Sequence, residues 1–292
     1  MLAIYWETAA RWVMMRARRD AAALKTPLFL IQAADSADRH MPRDDCAKLV
    51  SQYNPYETGH MHGMLGVHLG MRVRLLAPLH KSKGLVQDAE GTVVHVAVNP
   101  KDQAAVDEAL APDSSKKEVY LKHVPLGLWV RFDKYVNSPF QQELGDADAS
   151  LTAPLTQSLV FVEPSKPERP FKWRGYTIHR FGFALSHAQV RTSQSCQGKT
   201  FKGGVIIDCA RRQSGNHQMD DDKWWLHLYV MLSRATSLDD LLLLRAPEPE
   251  FLLRGPPKDL LKALQDFATR VEGCRETAKT LANNLGLHRF LR

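Results

Sequence analysis

The sequence predicts an α/β fold in which helices cover an open sheet. Short apolar runs of β type alternate with helical patterns in the C-terminal half, and further short strands precede them. Helical patterns also occupy both ends of the chain. The 292 residues are 44% hydrophobic and 24% charged, which is typical of a globular protein and excludes disordered and collagen-like classes.

The N-terminal elements follow from local patterns. Residues 1–24 are rich in alanine, with apolar side chains recurring between arginines, and predict a helix. Thr26-Pro27 ends it, because the residue before a proline disfavours helical geometry. The apolar run Leu28–Gln32 then predicts a strand. Residues 53–66 are rich in glycine and histidine and predict a loop.

The middle of the chain has the alternation of small strands. Four segments fit this pattern, at residues 71–75, 93–98, 128–132 and 159–162. The polar stretches 99–117 and 137–156 lie between them, and we interpret both as surface excursions.

The C-terminal half alternates between the two kinds of element. Residues 163–170 hold three prolines and predict a linker or an edge crossing. The segments after it predict a strand at 176–183, a helix at 184–196, a strand at 204–208, a helix at 224–232 and the strand Leu241–Leu244. Residues 257–292 predict a helical tail with leucines and Phe267 on one face.

Positive charge is concentrated between residues 164 and 202. Eight cations and one anion lie there, interleaved with aromatic residues. Cations attract phosphates and aromatic rings stack on bases, so Lys172, Arg174 and Arg180 are candidate contacts to a nucleic acid. The same composition also fits a pair of strands with a solvated basic edge, and composition alone does not separate the two interpretations.

No segment has the features of a signal peptide, and no apolar run is long enough to cross a bilayer. The four cysteines are far apart and form no metal or disulfide motif. We therefore expect an intracellular protein, nuclear if the source is eukaryotic and cytoplasmic otherwise, with no membrane partner.

The tetrapeptide Gln197–Thr200 ends in the Gly-Lys-Thr of a phosphate-binding loop. The full motif requires a glycine at position 193, which is Ser193, and requires a helix after the loop. A β-type run follows instead, so the sequence argues against a Walker loop here.

Two other segments carry a more specific pattern. Residues 183–208 read FALSHAQVRTSQSCQGKTFKGGVIID, and residues 228–244 read LYVMLSRATSLDDLLLL. Together they resemble the fifth and sixth conserved motifs of superfamily 1 helicases, in particular the PIF and RecD-like helicases and the helicase part of Helitron transposons. Cys196 stands where that family usually has serine, and Met231 is the one departure in the sixth motif.

The part of the chain before these two motifs resembles the family less closely. Residues 69–76, 84–86 and 91–94 resemble a stretch that in the family builds a small β-barrel inserted into the second motor domain. The family's Asn-Gly turn is replaced by Gln87-Asp88. The resemblance covers residues 25–250.

The resemblance implies a RecA-like open parallel sheet with helices on both faces, carrying the inserted barrel. It implies five parts: a helical segment at 1–24, the start of the second RecA-like domain at 25–66, the barrel at 67–163, the rest of that domain at 164–250, and a helical tail at 251–292.

It also implies a nucleotide site. In such helicases ATP and Mg²⁺ bind between two RecA-like domains, and the second domain supplies an arginine to the γ-phosphate. Arg234 matches that arginine and is the implied catalytic residue, while Gln197, Gly198 and Ser233 would line the cleft with it. The alternative interpretation of Arg234 is a surface cation at the C-terminal end of a helix.

The resemblance further implies single-stranded DNA as a partner. Thr192, Gln194, Ser195 and Thr200 would contact DNA phosphates. The family often has His-Lys where this chain has Gln194-Ser195, which removes one phosphate contact. An ordinary polar segment end is the alternative.

No segment fits a phosphate-binding loop, and no early strand ends in paired acidic residues to hold Mg²⁺. We therefore expect ATP and Mg²⁺ to bind only with an upstream RecA-like domain, supplied in the same chain or by another. Two rival hypotheses stay open at this point: a nucleic-acid-binding module without catalysis, and a structural or partner-binding remnant.

Overall fold

A computed structural model describes residues 1–52, 54–111, 114–135, 159–211 and 219–284. The chain divides into two compact units, Met1–Ser195 (unit 1) and Cys196–Arg292 (unit 2). The predicted surface excursion at 137–156 lies outside the described residues. None of the described helices is long and apolar enough to cross a bilayer.

Unit 1 contains three helices and thirteen strands among its described residues. The helices are α1 (Trp6–Ala23), α2 (Arg43–Val50) and α3 (Gln103–Leu110). The strands are β1 (Leu2–Ala3), β2 (Leu28–Gln32), β3 (Ala34–Ala37), β4 (Met64–Val67), β5 (Arg72–Leu75), β6 (Glu90–Ala97), β7 (Glu118–Leu121), β8 (Gly127–Phe132), β9 (Leu159–Val162), β10 (Phe171–Trp173), β11 (Tyr176–Phe181), β12 (Leu185–His187) and β13 (Arg191–Thr192).

The strands of unit 1 combine parallel and antiparallel pairing. β1 pairs in parallel with β13, and β2 pairs in parallel with β7 and antiparallel with β4. Five strands form an antiparallel sheet in the order β12-β5-β6-β8-β9, and three form another in the order β10-β11-β3. One core joins apolar side chains of β2, β4–β9 and β12 with those of α1 and α3, and a separate smaller cluster joins Ala3, Ala9, Val13 and Val190.

Unit 2 has the pattern of an α/β crossover. The strands β14 (Val205–Asp208) and β15 (Leu241–Leu244) pair in parallel, and α4 (Asp221–Leu232) lies between them in sequence. Trp224 on α4 is buried and its ring lies 5.2 Å from that of Phe251 on α5 (Pro249–Leu253). The last described element is α6 (Lys258–Asn284). Parallel strands combined with helices confirm the predicted α/β class.

The predicted barrel corresponds to a sheet with a different membership. β5, β6, β8 and β9 lie within residues 67–163, but the sheet also recruits β12 from outside that range. β7 lies inside the range and instead pairs with β2. Among the described strands no pairing joins the outer strands β12 and β9, so closure into a barrel stays a prediction.

The predicted helix at residues 184–196 is wrong. The segment forms β12, β13 and a single 3-10 turn at Gln194–Cys196. Leu185 pairs with Leu75 of β5, and the amide of Ala188 donates to the carbonyl of Arg72. Non-local pairing therefore satisfies the backbone groups that a helix would have satisfied locally, and tertiary context overrides propensity.

Three other sequence predictions need correction. The stretch 99–117 is not only surface, because α3 buries Val106 and Ala109. The predicted loop at 53–66 ends early, where β4 begins at Met64. The predicted helix at 1–24 begins only at Trp6, because Leu2–Ala3 forms β1. The predictions also missed α2, β3, β7 and β10, each of which is short or polar.

The buried imidazole of His62 makes stability depend on pH. Burial, together with the nearby cations Arg74 and Arg180, lowers the pKa of His62 to about 4; its Nε2 lies 3.1 Å from Ser186 Oγ. In the unfolded chain, His62 takes up a proton near its ordinary pKa of about 6.5. The stabilisation of the folded state by neutral His62 is therefore present above about pH 6.5 and is lost as pH falls toward 4. Burial also lowers the pKa of His187 to about 4.

We expect His62→Gln to reduce this dependence. Between pH 7 and pH 5 the free energy of unfolding of the wild type should fall by about 2 kcal/mol more than that of the variant. Urea unfolding at the two pH values measures the difference. Identical pH dependence in both proteins would contradict a neutral, buried His62.

Candidate functional site

The two motif segments meet within unit 2. The amide of Phe201 donates to the carbonyl of Arg234 at 3.1 Å, and Phe201 and Ala235 form a parallel β-bridge. The segment after β13 and the end of α4 are therefore adjacent. All four predicted nucleotide residues, Gln197, Gly198, Ser233 and Arg234, lie in this unit.

The guanidinium of Arg234 is fixed at the end of α4. Its Nε donates to the Val230 carbonyl at 2.9 Å, Nη1 to the Lys199 carbonyl at 2.9 Å, and Nη2 to Ser233 Oγ at 2.8 Å. An arginine has five N–H donors, so these contacts leave two available among the described residues. The side chain is half-buried. The guanidinium is therefore held in place and can still donate hydrogen bonds to a ligand.

The surroundings of Arg234 are open. Gly198 is exposed with φ of +74°, and a Cβ built there would meet no atom within 4 Å. Gln197 is also exposed, and Ser233 Oγ donates to the Val230 carbonyl at 3.0 Å. The left-handed backbone at Gly198 favours glycine, and the space beside it admits a ligand.

The segment Gly198–Thr200 is not a phosphate-binding loop. The chain continues into the Phe201 bridge and β14, whereas a Walker loop opens a helix. This agrees with the sequence argument, although the predicted helix before the loop was wrong. No cluster of three or more metal-ligating side chains occurs among the described residues.

The predicted DNA residues of the fifth motif are only partly available. Thr192 is buried, and its Oγ1 donates to Ser195 Oγ at 3.3 Å. Ser195 Oγ in turn donates to the Thr192 carbonyl at 3.1 Å, so both hydroxyls serve the turn. Gln194 and Thr200 are exposed. Their roles at a phosphate stay predictions.

Arg191 positions this turn, and sequence reasoning missed it. Its buried guanidinium donates to Asp88 at 3.0 Å, to Glu90 at 2.7 Å and to the Ser195 carbonyl at 3.1 Å. Asp88 also accepts from the buried Arg74 at 2.8 Å. The sequence feature that could have indicated this role of Arg191 is the acidic residue at position 88, where the resembled family has glycine.

Arg180 requires a correction. Its side chain is fully buried and forms a bidentate pair with Asp35, with both N–O distances 2.7 Å. It also donates to the carbonyls of Met61 and Leu49. A cation with these partners is not presented to solvent, so we withdraw Arg180 as a candidate DNA contact. Two of the eight cations between residues 164 and 202, Arg180 and Arg191, are thus internal.

The hairpin β10–β11 presents the remaining candidates. Trp173 pairs with Tyr176 across the two-residue loop Arg174-Gly175, and both loop residues have positive φ, as in a type I′ turn. Lys172 is exposed and donates to Thr177 Oγ1 at 2.5 Å. Arg174 is exposed, lies over the Trp173 ring and contacts Asp45 at 3.2 Å.

Comparison with known proteins gives structural similarity only. No family model matches the sequence, and no curated protein matches it significantly. The chain is similar to the Pif1 helicase of Candida albicans, with 17% identity, 91% of this chain and 49% of that chain covered, and a TM-score of 0.47. It is also similar to Bacteroides Pif1 bound to single-stranded DNA, with 14% identity, 93% and 45% covered, and a TM-score of 0.49.

A third similar structure is Bacteroides Pif1 in complex with ADP-AlF3 and single-stranded DNA, at 14% identity and a TM-score of 0.45, covering 92% of this chain and 45% of that chain. The chain spans about half the length of these helicases or less. We therefore infer function from the motifs and contacts of this chain.

Proposed function

We propose that this chain is the second motor half of an ATP-dependent DNA helicase of the PIF/RecD-like type. The observation that carries the proposal is the guanidinium of Arg234, which joins the two motif segments while keeping two donors available. The resembled family requires an arginine at this point, and the contacts hold it at an open surface beside Gly198.

The chemistry of Arg234 follows from charge. Negative charge grows on the phosphoryl oxygens as a γ-phosphate is transferred to water. A guanidinium already oriented by protein carbonyls stabilises that charge without reorganisation of the site. Its planar fork can contact two oxygens at once. Gln197, Gly198 and Ser233 would line the same side of the nucleotide.

The described residues of this chain could contact the phosphates of ATP, but they offer no site for Mg²⁺. Arg234 and the open surface at Gly198 suit a phosphate, but the described residues include no metal-ligating cluster. The phosphate-binding loop and the Mg²⁺ carboxylate would come from a first RecA-like domain, in the same chain or in another. Mg²⁺ would neutralise charge on the phosphates there.

Single-stranded DNA is the proposed polymer. The β10–β11 hairpin displays Lys172 and Arg174 next to the rings of Trp173 and Tyr176, and Arg39 lies over the Tyr176 ring at 4.6 Å. Cations that contact phosphates and rings that stack on bases bind single strands without reading sequence. A DNA partner agrees with an intracellular location, which would be nuclear in a eukaryote.

The hairpin gives a testable prediction. The double variant Lys172→Ala, Arg174→Ala should weaken binding to an oligothymidylate and reduce the slope of log affinity against log salt by about 1.4, or about 0.7 for each lost phosphate contact. Fluorescence anisotropy across a salt series measures this. The matched control is Lys262→Ala, Lys279→Ala on α6, which removes the same charge. Equal changes in both proteins would contradict a DNA contact at the hairpin.

A nucleic-acid-binding module without catalysis is the second candidate. It is favoured by one observation, that the exposed cations Lys172 and Arg174 of the hairpin can contact phosphates without a nucleotide site. Both candidates predict DNA binding by the hairpin. Only the helicase proposal predicts that Arg234 affects ATP hydrolysis once a first motor domain is present.

A further inference from the structure

The helix α6 exposes an apolar surface along its length. Its 27 residues span about 40 Å, and none is buried. Leu264 is 53% exposed, Phe267 65%, Val271 46% and Leu281 55%. Contiguous exposed apolar surface of this kind is typical of sites that bind another protein.

The apolar residues follow the repeat of a coiled coil. Successive spacings of 4, 3, 4, 3, 4 and 3 residues separate the members of this seam, which are Leu260, Leu264, Phe267, Val271, Cys274, Ala278 and Leu281. Such a repeat keeps one stripe of side chains facing a partner helix. The seam therefore fits a helix laid alongside α6.

Charge on α6 is segregated around the seam. The positions that flank it hold two charged residues, Arg270 and Arg275, and both are cations. All four acidic residues of the helix lie on the outer face, at Asp259, Asp266, Glu272 and Glu276. Arg275 remains 70% exposed although it lies 3.9 Å from Glu272. The borders of the seam are thus basic.

A second copy of α6 fits these borders poorly. In a parallel pair, Arg270 of one helix faces Arg275 of the other, because flanking positions five residues apart meet across the seam. In an antiparallel pair centred near Val271, Arg270 faces Arg270. Like charges at these positions are unfavourable, whereas acidic side chains on the partner would be attracted.

We propose that α6 binds an amphipathic helix of another protein, with apolar residues at its seam and acidic residues at the flanking positions. The binding hot spots would be Leu264, Phe267 and Val271, because large apolar side chains near the centre of an interface contribute most of the binding energy. Arg270 and Arg275 would select the acidic partner.

The test uses the full chain and two labelled synthetic helical peptides of four heptads, with leucine at the seam positions and either glutamate or lysine at the flanking positions. The glutamate peptide should bind at least about tenfold more tightly in fluorescence anisotropy. Arg270→Glu, Arg275→Glu should reverse the preference. The control Lys262→Glu, Lys279→Glu makes the same change of charge on the outer face and should keep the preference for the glutamate peptide.

A seam variant separates binding from folding. Val271→Asp should lower the affinity for the glutamate peptide by at least about tenfold. The circular dichroism spectrum and the unfolding midpoint of the chain should stay unchanged, since Val271 is exposed. Equal binding of the two peptides, or binding of neither, would overturn the proposal. Dimerisation in sedimentation that Val271→Asp abolishes would also overturn it and assign the seam to a second copy.

Discussion

Arg234→Lys is expected to reduce ATP turnover by at least about 100-fold in a protein where a PIF/RecD-like first motor domain is joined to the N-terminus of this chain. Lysine keeps the charge but loses the planar fork and the three contacts to Val230, Lys199 and Ser233 that orient it. Affinity for single-stranded DNA should change little, because the candidate DNA cations are on the β10–β11 hairpin.

Turnover and DNA affinity are measured side by side for the fusion and its variant. Arg254→Lys is the matched control, since Arg254 is an exposed arginine of the same unit that pairs with Asp222. The chain without the fused domain should show no DNA-stimulated hydrolysis. If the Arg234→Lys fusion turns over as fast as its parent, Arg234 is only a cation at a helix end.

Arg180→Ala is expected to destabilise unit 1 by about 3–5 kcal/mol. The substitution leaves Asp35, whose side chain is only 14% exposed, without its bidentate partner. It also removes the donors to the Met61 and Leu49 carbonyls. Urea unfolding measures the change in free energy of unfolding.

Two further variants make this prediction specific. Arg174→Ala removes an exposed arginine paired with Asp45 and should cost no more than about 1 kcal/mol. Arg180→Met combined with Asp35→Leu removes both charges and should recover most of the loss, because neither charge is then left alone. A loss below about 1 kcal/mol for Arg180→Ala would contradict a structural role for the pair.

Much of the strand pattern was predictable from local sequence. The strands Leu28–Gln32, Leu159–Val162 and Leu241–Leu244 were predicted with their observed bounds, because each is a short apolar run. The helix α4 was predicted within three residues and α6 within one residue at its start, while the predicted end of the tail at 292 lies outside the described residues. In these segments local preference and tertiary structure agree.

The failures occur where distant partners decide the local structure. Residues 184–196 favour a helix by composition but pair with β5 and β1, which lie more than one hundred residues earlier. No local pattern contains that information. The short strands β3 and β10 exist only because β11 lies between them.

The same reason limits prediction of the site. Arg234 was singled out because its motif is contiguous in sequence, and its role in ATP hydrolysis stays a prediction. Arg180 was misassigned because its partner Asp35 is 145 residues away, and a count of cations does not show which ones meet a carboxylate. The role of Arg191 in holding the turn at Ser195 was missed for the same reason.

The most direct test of the proposed function compares the wild-type fusion with the first motor domain alone. ATP hydrolysis is measured for both proteins in the presence of single-stranded DNA. We predict that the fusion hydrolyses ATP at least about 100-fold faster, because only it holds a guanidinium opposite the phosphate-binding loop. Equal rates for the two proteins would contradict the assignment of this chain as the second half of a motor.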